Sequence, residues 1–287
     1  MMISYNQSGG VSMDYSQYSL AKTGYLKEDF RLFHINDRTD REFEWHYHDF
    51  HKIIVFVSGK VTYHIEGKAY QLKPQDILLV SQGAIHKPEI DPSIPYERYI
   101  FWIRDDLSSP ELNTCFQKAN DRSFNLIRLD SVLQEKLKDL LPEIEHSLRD
   151  TQFGDSILSK ALFAQFMVYI NRIFLKSSSA PDQKSYSSDS QVEQLLKYIN
   201  RNLSENLSID HLAERFFFSK YHMMRKFKKE TGYTIHNYII SKRLLHARSL
   251  ITQGTPVMKA AMQSGFQDYT AFVRAYKKQF GTVPTQR

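Results

Sequence analysis

The sequence predicts an α+β chain in separate parts: an N-terminal antiparallel β-barrel, a helical segment, and an all-α C-terminal domain. Three observations carry this. Between residues 29 and about 105, short β-branched and aromatic runs such as KIIVFVSG, KVTYHIEG, DILLV and YERYIFWI are punctuated by Gly59, Gly67, Pro74 and Gly83. Strands at such short, regular spacing form an antiparallel sandwich or small barrel. The polar low-complexity stretch SSSAPDQKSYSSDS, residues 177–190, marks a domain boundary. Beyond it, Leu207 to Gly232 and Pro256 to Gly281 repeat one device: a short helix, a tight turn, then a basic, aromatic helix.

Taken in order, residues 1–20 are Ser, Gly, Gln and Tyr without period and read as a flexible arm. Residues 21–110 form the expected barrel. From 111 to 176 the apolar spacing turns helical, with Val132, Leu133, Leu137, Leu140 and Leu141, then Ile157, Leu158, Leu162, Phe166, Ile170, Ile173 and Phe174. The second of these helices is apolar almost all the way round, so it must be covered by the barrel or by a second copy of the chain. Segment 111–176 is therefore assigned to dimerisation. After the linker at 177–190, residues 191–287 open with a helix defined by Leu195, Leu196, Ile199 and Leu203, and Tyr238 to Ile251 connects the two repeated units.

At 287 residues with 41% hydrophobic content, the chain is sized for about two domains. Its charge is uneven: residues 191–287 hold 16 Lys/Arg against 6 Asp/Glu, while residues 1–190 hold 22 against 26. A basic third joined to a slightly acidic remainder is the footprint of a polyanion-binding module attached to something that does not bind polyanions. The single cysteine, Cys115, excludes an intrachain disulfide and reads as a buried small hydrophobe. No signal-peptide pattern opens the chain and no run approaches the roughly 18 apolar residues of a membrane span, so the expectation is a cytoplasmic protein without a membrane partner.

A helix-turn-helix needs small residues where its helices cross, a polar cap on the second helix and apolar anchors on that helix's inner face. Ala213 and Ala261 supply the first, Ser219 and Asp268 the second, and Met223 with Phe227, or Phe272 with Tyr276, the third. Helical geometry then places Tyr221, Met224, Arg225 and Lys228 on the outer face of one recognition helix and Tyr269, Thr270, Val273 and Arg274 on that of the other. Double-stranded DNA is the partner this predicts, with the two helices in successive major grooves. Arg225 and Arg274 can take guanine O6 and N7 bidentately, for about 1–3 kcal/mol of discrimination. Tyr221, Met224, Tyr269, Thr270 and Val273 complete the expected base-contacting set. Ser219, Lys220, Lys226, Lys228, Lys229, Lys277 and Lys278 are expected on phosphates. A merely solvated basic face is the bland alternative; the duplication, the equivalent caps and the charge asymmetry argue against it.

The strings LSIDHLAERFFFSKYHMMRKFKKETG, RLLHARSLI and VMKAAMQSGFQDYTAFVRAYKKQFGTVP resemble the DNA-binding domain of the AraC/XylS family of bacterial transcription regulators, over about residues 191–287. The resemblance implies two helix-turn-helix units held by a long connecting helix, about Ile235 to Thr252. It also implies a homodimer, contact with RNA polymerase, and transcriptional activation. Phe217 departs from the pattern at a turn position where a small or polar residue is common, while Gly265 keeps it in the second unit.

Further upstream, EWHYHDFHKIIVFVSG and LKPQDILLVSQGAIHKP resemble the two motifs of a cupin barrel, the domain many of these regulators carry as an effector sensor. In metal-binding cupins these motifs supply two histidines and a glutamate, then a further histidine; the matching positions here are His46, His48, Lys52 and His86. Residues 46 and 48 of a strand point to one side, so a joint inward site is allowed. Lys52 replaces the carboxylate, however, and an ammonium among three imidazoles repels a divalent cation. The expectation is no metal and no other cofactor. His46, His48, Lys52 and His86 instead hold an organic effector, a sugar or other polar metabolite by family analogy, with Trp45, Tyr47 and Trp102 as candidate stacking surfaces. A closed barrel whose histidines serve structure is the plain alternative. Two other functions stay open: a metal-dependent cupin enzyme, which lacks its acidic ligand, and a DNA-binding protein without effector control. The expected function is a ligand-responsive transcription regulator and not an enzyme.

Overall fold

The computed structural model describes residues 26, 28–39, 42–107, 109–149, 151–176 and 186–285, so the expected arm and residues 177–185 of the expected linker lie outside the described residues. The N-terminal part contains β1 (Phe30–Asp37), β2 (His51–Ser58), β3 (Val61–Ile65), β4 (Lys68–Gln71), β5 (Ile77–Val80), β6 (His86–Ile90), β7 (Tyr96–Ile103) and β8 (Leu126–Ile127); β9 (Ser187–Ser188) joins them later. They build two antiparallel sheets, ordered β1-β7-β2-β5-β8 and β6-β3-β4-β9. The expected barrel is corrected here, because no closed sheet forms among the described residues. Segment 42–50, which alternates like a strand, makes only the single bridge His46↔His86.

Strand β2 shows why the first sheet holds both of its neighbours. Ile53 and Val55 face the helices, while Ile54 and Phe56 face the space between the sheets with Tyr63, Ile65, Tyr70 and Leu78. A strand covered on both faces reads as a continuous apolar run, not as an alternation. By the same parity Lys52 belongs to the inter-sheet face.

Helices α1 (Thr114–Arg122), α2 (Ser131–Ser147) and α3 (Asp155–Lys176) cover the outer face of the first sheet. Phe163 stacks on Phe30 with ring centroids 4.0 Å apart, and Phe166 on Phe101 at 4.4 Å. Contrary to the expectation from hydropathy, α3 is long and apolar enough to cross a bilayer by length and composition. Here its inner face, Leu162, Phe166, Met167, Ile170 and Phe174, is core. Buried Asn171 ties it to α1, accepting from Cys115 N at 2.8 Å and donating to Leu112 O at 2.8 Å. Cys115 is fully buried, and burial pushes its thiol up to about 12. At the N-terminal end of α3 the apolar surface is uncovered: Phe153 is fully exposed, and Ile157 is 73% exposed.

The C-terminal part comprises α4 (Ser190–Arg201), α5 (Ile209–Arg215), α6 (Lys220–Thr231), α7 (Ile235–Thr252), α8 (Val257–Gln263) and α9 (Tyr269–Phe280). The connecting helix α7 runs over the residues the resemblance implies, and its Tyr238, Leu244, Ala247 and Ile251 share one core with Phe227 of α6 and Phe272 of α9. The last residues of the expected linker are structured. Ser187 and Ser188 pair with Ala69 and Lys68 as β9, and the Asp189 carboxylate caps α4 by accepting from Gln191 N and Val192 N.

Candidate DNA interface and sensor site

The two recognition helices, α6 and α9, are built alike. Ser219 Oγ accepts from His222 N at 3.4 Å, and Asp268 Oδ1 accepts from Thr270 N at 2.7 Å and Ala271 N at 3.1 Å. Each helix ends on a left-handed glycine, Gly232 at φ 73° and Gly281 at φ 75°, a conformation that spares glycine the Cβ penalty. Met223, Phe227, Phe272 and Tyr276 are buried as anchors, and Ala213 and Ala261 are buried where the helices cross. Caps, anchors and arginines all recur 49 positions apart, from Ser219/Asp268 to Gly232/Gly281. The turns also correspond: Phe217 at φ 55° and Gly265 at φ 88° take the same left-handed conformation. A Cβ on Gly265 would run into the Leu203 carbonyl and the Arg243 guanidinium, whereas the Phe217 side chain is 96% exposed.

Tyr221, Met224, Arg225, Lys228 and Lys229 are exposed on α6, and Tyr269, Thr270, Arg274, Lys277 and Lys278 on α9; Val273 is half-buried. Three of the lysines expected on phosphates have partners within the chain, Lys229 the most loosely, with its Nζ 4.0 Å from Glu230 Oε1. Lys226 Nζ lies 2.8 Å from Asp189 Oδ2 and 2.7 Å from Gln191 Oε1, tying α6 to the start of α4, and Lys220 pairs with Asp210. His222, exposed on the first turn of α6, adds a polar group to this face that side-chain type alone did not single out.

In the N-terminal domain the extended segment 45–50 has two faces. His46, His48 and Phe50 form one. Ring centroids lie 4.3 Å apart for His46 and His86, and 5.1 Å apart for His48 with each of them; Phe50 stacks on His48 at 4.6 Å. The backbone bridge between His46 and His86, at 3.1 and 2.9 Å, fixes the approach of the two motifs. Nδ1 of His46 meets the Glu44 carbonyl at 2.8 Å and Nδ1 of His86 meets the Ala84 carbonyl at 2.9 Å. Burial drives the imidazoles toward the neutral form, with the charge of Lys52 adding to it: His46 falls to about 4 and His48 well below the ordinary value. His86 is also held low, by burial and then by its His46 and Lys52 neighbours. Lys52 is buried between the sheets, donates to Tyr63 Oη at 3.3 Å, and is pulled down to about 7 by burial and by the charge of Arg98. The structure thus gathers the three expected histidines, with Lys52 close enough to bias them. Trp102 stands 6.3 Å from His48, centroid to centroid.

The other face of the segment, Trp45, Tyr47 and Asp49, meets the C-terminal domain. Trp45 packs where a Cβ on Gly232 would overlap its ring, Tyr233 Oη donates to the Trp45 carbonyl at 3.4 Å, and Arg248 Nη1 donates to Asp49 Oδ2 at 2.9 Å. Trp45 and Tyr47, offered from sequence as stacking surfaces for an effector, serve this contact instead. Glu66 is its polar hub: Oε1 accepts from Ile85 N at 2.9 Å and Lys242 Nζ at 2.8 Å, and Oε2 accepts from Tyr238 Oη. A cavity of about 350 Å³ opens beside it, lined among others by Lys68, Asn120, Asn125, Lys242 and His246.

Matched arginines on twin capped helices, attached to a domain that closes a buried polar cluster, define a DNA-binding regulator with a sensing domain. Residues 31–167 match the family described as AraC-like ligand binding domain, and residues 212–287 match the helix-turn-helix domain family. The chain thus combines the two domains of an AraC-family transcription regulator, and the relatives it matches are transcription regulators, not enzymes. It is 23% identical over 246 residues to the HTH-type transcriptional activator RhaR of Mannheimia succiniciproducens, covering 85% of this chain and 86% of that one. It is 25% identical to the uncharacterized HTH-type transcriptional regulator YbfI of Bacillus subtilis, covering 79% and 80% of the two chains. The crystal structure of ToxT from Vibrio cholerae O395 aligns over 90% of this chain and 96% of its own, at 15% identity and a TM-score of 0.36.

Proposed function

We propose that this chain is a cytoplasmic, effector-controlled transcription activator that binds promoter DNA as a homodimer and acts through RNA polymerase. The observation that carries the DNA-binding half is the 49-residue repeat of cap, anchors and exposed arginine in α6 and α9. Arg225 and Arg274 read guanines, Tyr221, Met224, Tyr269, Thr270 and Val273 contact neighbouring base edges, and Lys228, Lys229, Lys277 and Lys278 neutralise phosphates together with Ser219. Lys220 and Lys226 can reach phosphate only by exchanging the carboxylates that now hold them.

A polar metabolite such as a sugar is the effector, held at His46, His48, Lys52 and His86: neutral imidazoles accept from hydroxyls, and the lysine donates. The signal leaves by the alternation of segment 45–50, because a displacement of His46 or His48 moves Trp45, Tyr47 and Asp49 on the opposite face, where the DNA-binding domain docks. Selection from a random DNA pool tests the reading. Wild type should enrich one bipartite sequence, and Arg225→Ala and Arg274→Ala should each relax preference at one base pair, costing about 1–3 kcal/mol there. Lys228→Ala should weaken all sequences alike and lower the salt dependence. Unchanged preference in both arginine variants would refute the assigned facing of the helices.

A further inference from the structure

The cavity of about 350 Å³ between the domains is separate from the histidine cluster, for none of His46, His48, Lys52 and His86 lines it. Both domains supply its walls: Glu66 and Lys68 come from the sensor side, and Glu193, Lys197, Arg201 and Lys242 from the DNA-binding side. Four cations thus face two carboxylates, a net charge of +2, and both carboxylates are already engaged. Glu193 Oε1 lies 3.0 Å from Lys68 Nζ and 2.8 Å from Lys197 Nζ, while Glu66 Oε1 lies 2.8 Å from Lys242 Nζ. Arg201, exposed in the last turn of α4, has no ion-pair partner among the described residues. Asn120 adds an amide, and His246, whose Nδ1 meets Ser264 Oγ at 3.2 Å, keeps Nε2 for another partner. Among the described residues no Phe, Tyr or Trp lines the cavity, so a nucleobase finds no stacking surface there. An aliphatic chain would strip water from the charged walls without compensation. The volume falls within the roughly 300–1,000 Å³ of small-molecule sites, which favour domain interfaces.

We propose that this cavity binds a second small molecule, a phosphorylated polyol such as a sugar phosphate, across the two domains. A phosphate monoester carries about −1.5 to −2 charges at pH 7, which matches the net charge of the walls; a single carboxylate brings only one. A guanidinium can meet two phosphate oxygens at once, and Arg201 is the cation free to do so. The lysines add point charges, and Asn120 and His246 take hydroxyls. This ligand is additional to the effector assigned to the histidines. Because each domain supplies part of the walls, the site is complete only while the domains are docked, so the ligand binds that arrangement more tightly and shifts the equilibrium toward it. By reciprocity, whatever parts the domains releases the ligand.

Calorimetric titration of full-length protein with glucose 6-phosphate, ribose 5-phosphate and glycerol 3-phosphate tests this, with glucose and citrate as comparisons. At least one of the three phosphates should bind at one site per chain, and glucose on the order of 100-fold more weakly for want of the charge-assisted contacts. Arg201→Gln, a change at an exposed position, should weaken the phosphate about tenfold or more. Lys118→Gln, which alters an exposed cation of α1 outside the cavity, should bind as wild type does. In wild type the saturating phosphate should also slow proteolysis between the domains severalfold, and in Arg201→Gln it should not at the same concentration. Absence of saturable binding by all three phosphates overturns the proposal. Undiminished affinity in Arg201→Gln does so too, placing the anion elsewhere, as on the basic recognition helices. Citrate binding more tightly than every phosphate overturns the ligand class.

Discussion

Phe217 and Glu66 are both non-glycine residues at positive φ, 55° and 48°, and they hold that conformation for different reasons. Glu66 precedes Gly67 in the two-residue turn between β3 and β4, where both central residues need positive φ and Asn-Gly or Asp-Gly is preferred. Its carboxylate is engaged by Ile85, Tyr238 and Lys242, so the less favourable turn residue is retained for what its side chain holds. Phe217 has no such return among its contacts: its ring is 96% exposed. Phe217→Gly is therefore expected to stabilise the DNA-binding domain by about 0.5–1 kcal/mol, the relief of left-handed strain exceeding the added entropy of the unfolded chain. Urea denaturation measures it, and a loss of stability would show that the exposed ring contributes a contact in the native state. Another residue of the same unit marks a limit of reading function by residue type. Lys226 looked like any other cation of a basic helix, and only the fold brings Asp189 and Gln191 to it.

At the scale of elements, local periodicity was a good guide and pairing was not. The twin helix-turn-helix units were legible because caps, anchors and turns all lie within a few residues of one another in sequence. The alternation of segment 42–50 correctly reports that His46 and His48 share a face, yet alternation says nothing about whether a neighbour is present to hydrogen-bond. It therefore predicted a strand where one bridge forms, and a barrel where two sheets stay open. The sequence of helix α3 is apolar nearly all round, and the structure divides that surface: Phe166 and Ile170 go to the sheet, while Ile157, Leu158 and the preceding Phe153 stay exposed. Exposed apolar groups in one turn suit a second copy of the chain. Ile157→Glu should weaken self-association at least tenfold in sedimentation while changing monomer stability by less than about 0.5 kcal/mol, as expected for a surface position. Unaltered association would move the dimer contact elsewhere.

At the scale of the whole molecule, the contacts joining the domains were invisible in the sequence because their partners are so distant: Asp49 and Arg248 lie 199 positions apart, and Glu66 and Lys242 lie 176 apart. Glu66 offers a way to separate docking from folding. Glu66→Asn should suit the hairpin turn at least as well, a gain that offsets the lost bond from Ile85 N within the same domain, but leave Lys242 and Tyr238 without their acceptor. The sensor domain should keep its melting temperature, while proteolysis between the domains accelerates severalfold. Equal proteolysis rates in the two proteins would mean that the apolar contacts alone hold the domains together. The short strand β9 has a consequence of a different kind. Ser187 and Ser188 are zipped onto β4 and Asp189 caps α4 directly, so the chain enters the DNA-binding domain with no slack after its anchor point. The length of the polar stretch before Ser187 is thereby uncoupled from the alignment of the two domains. A single insertion between Ser188 and Ser190 would shift the phase of everything that follows.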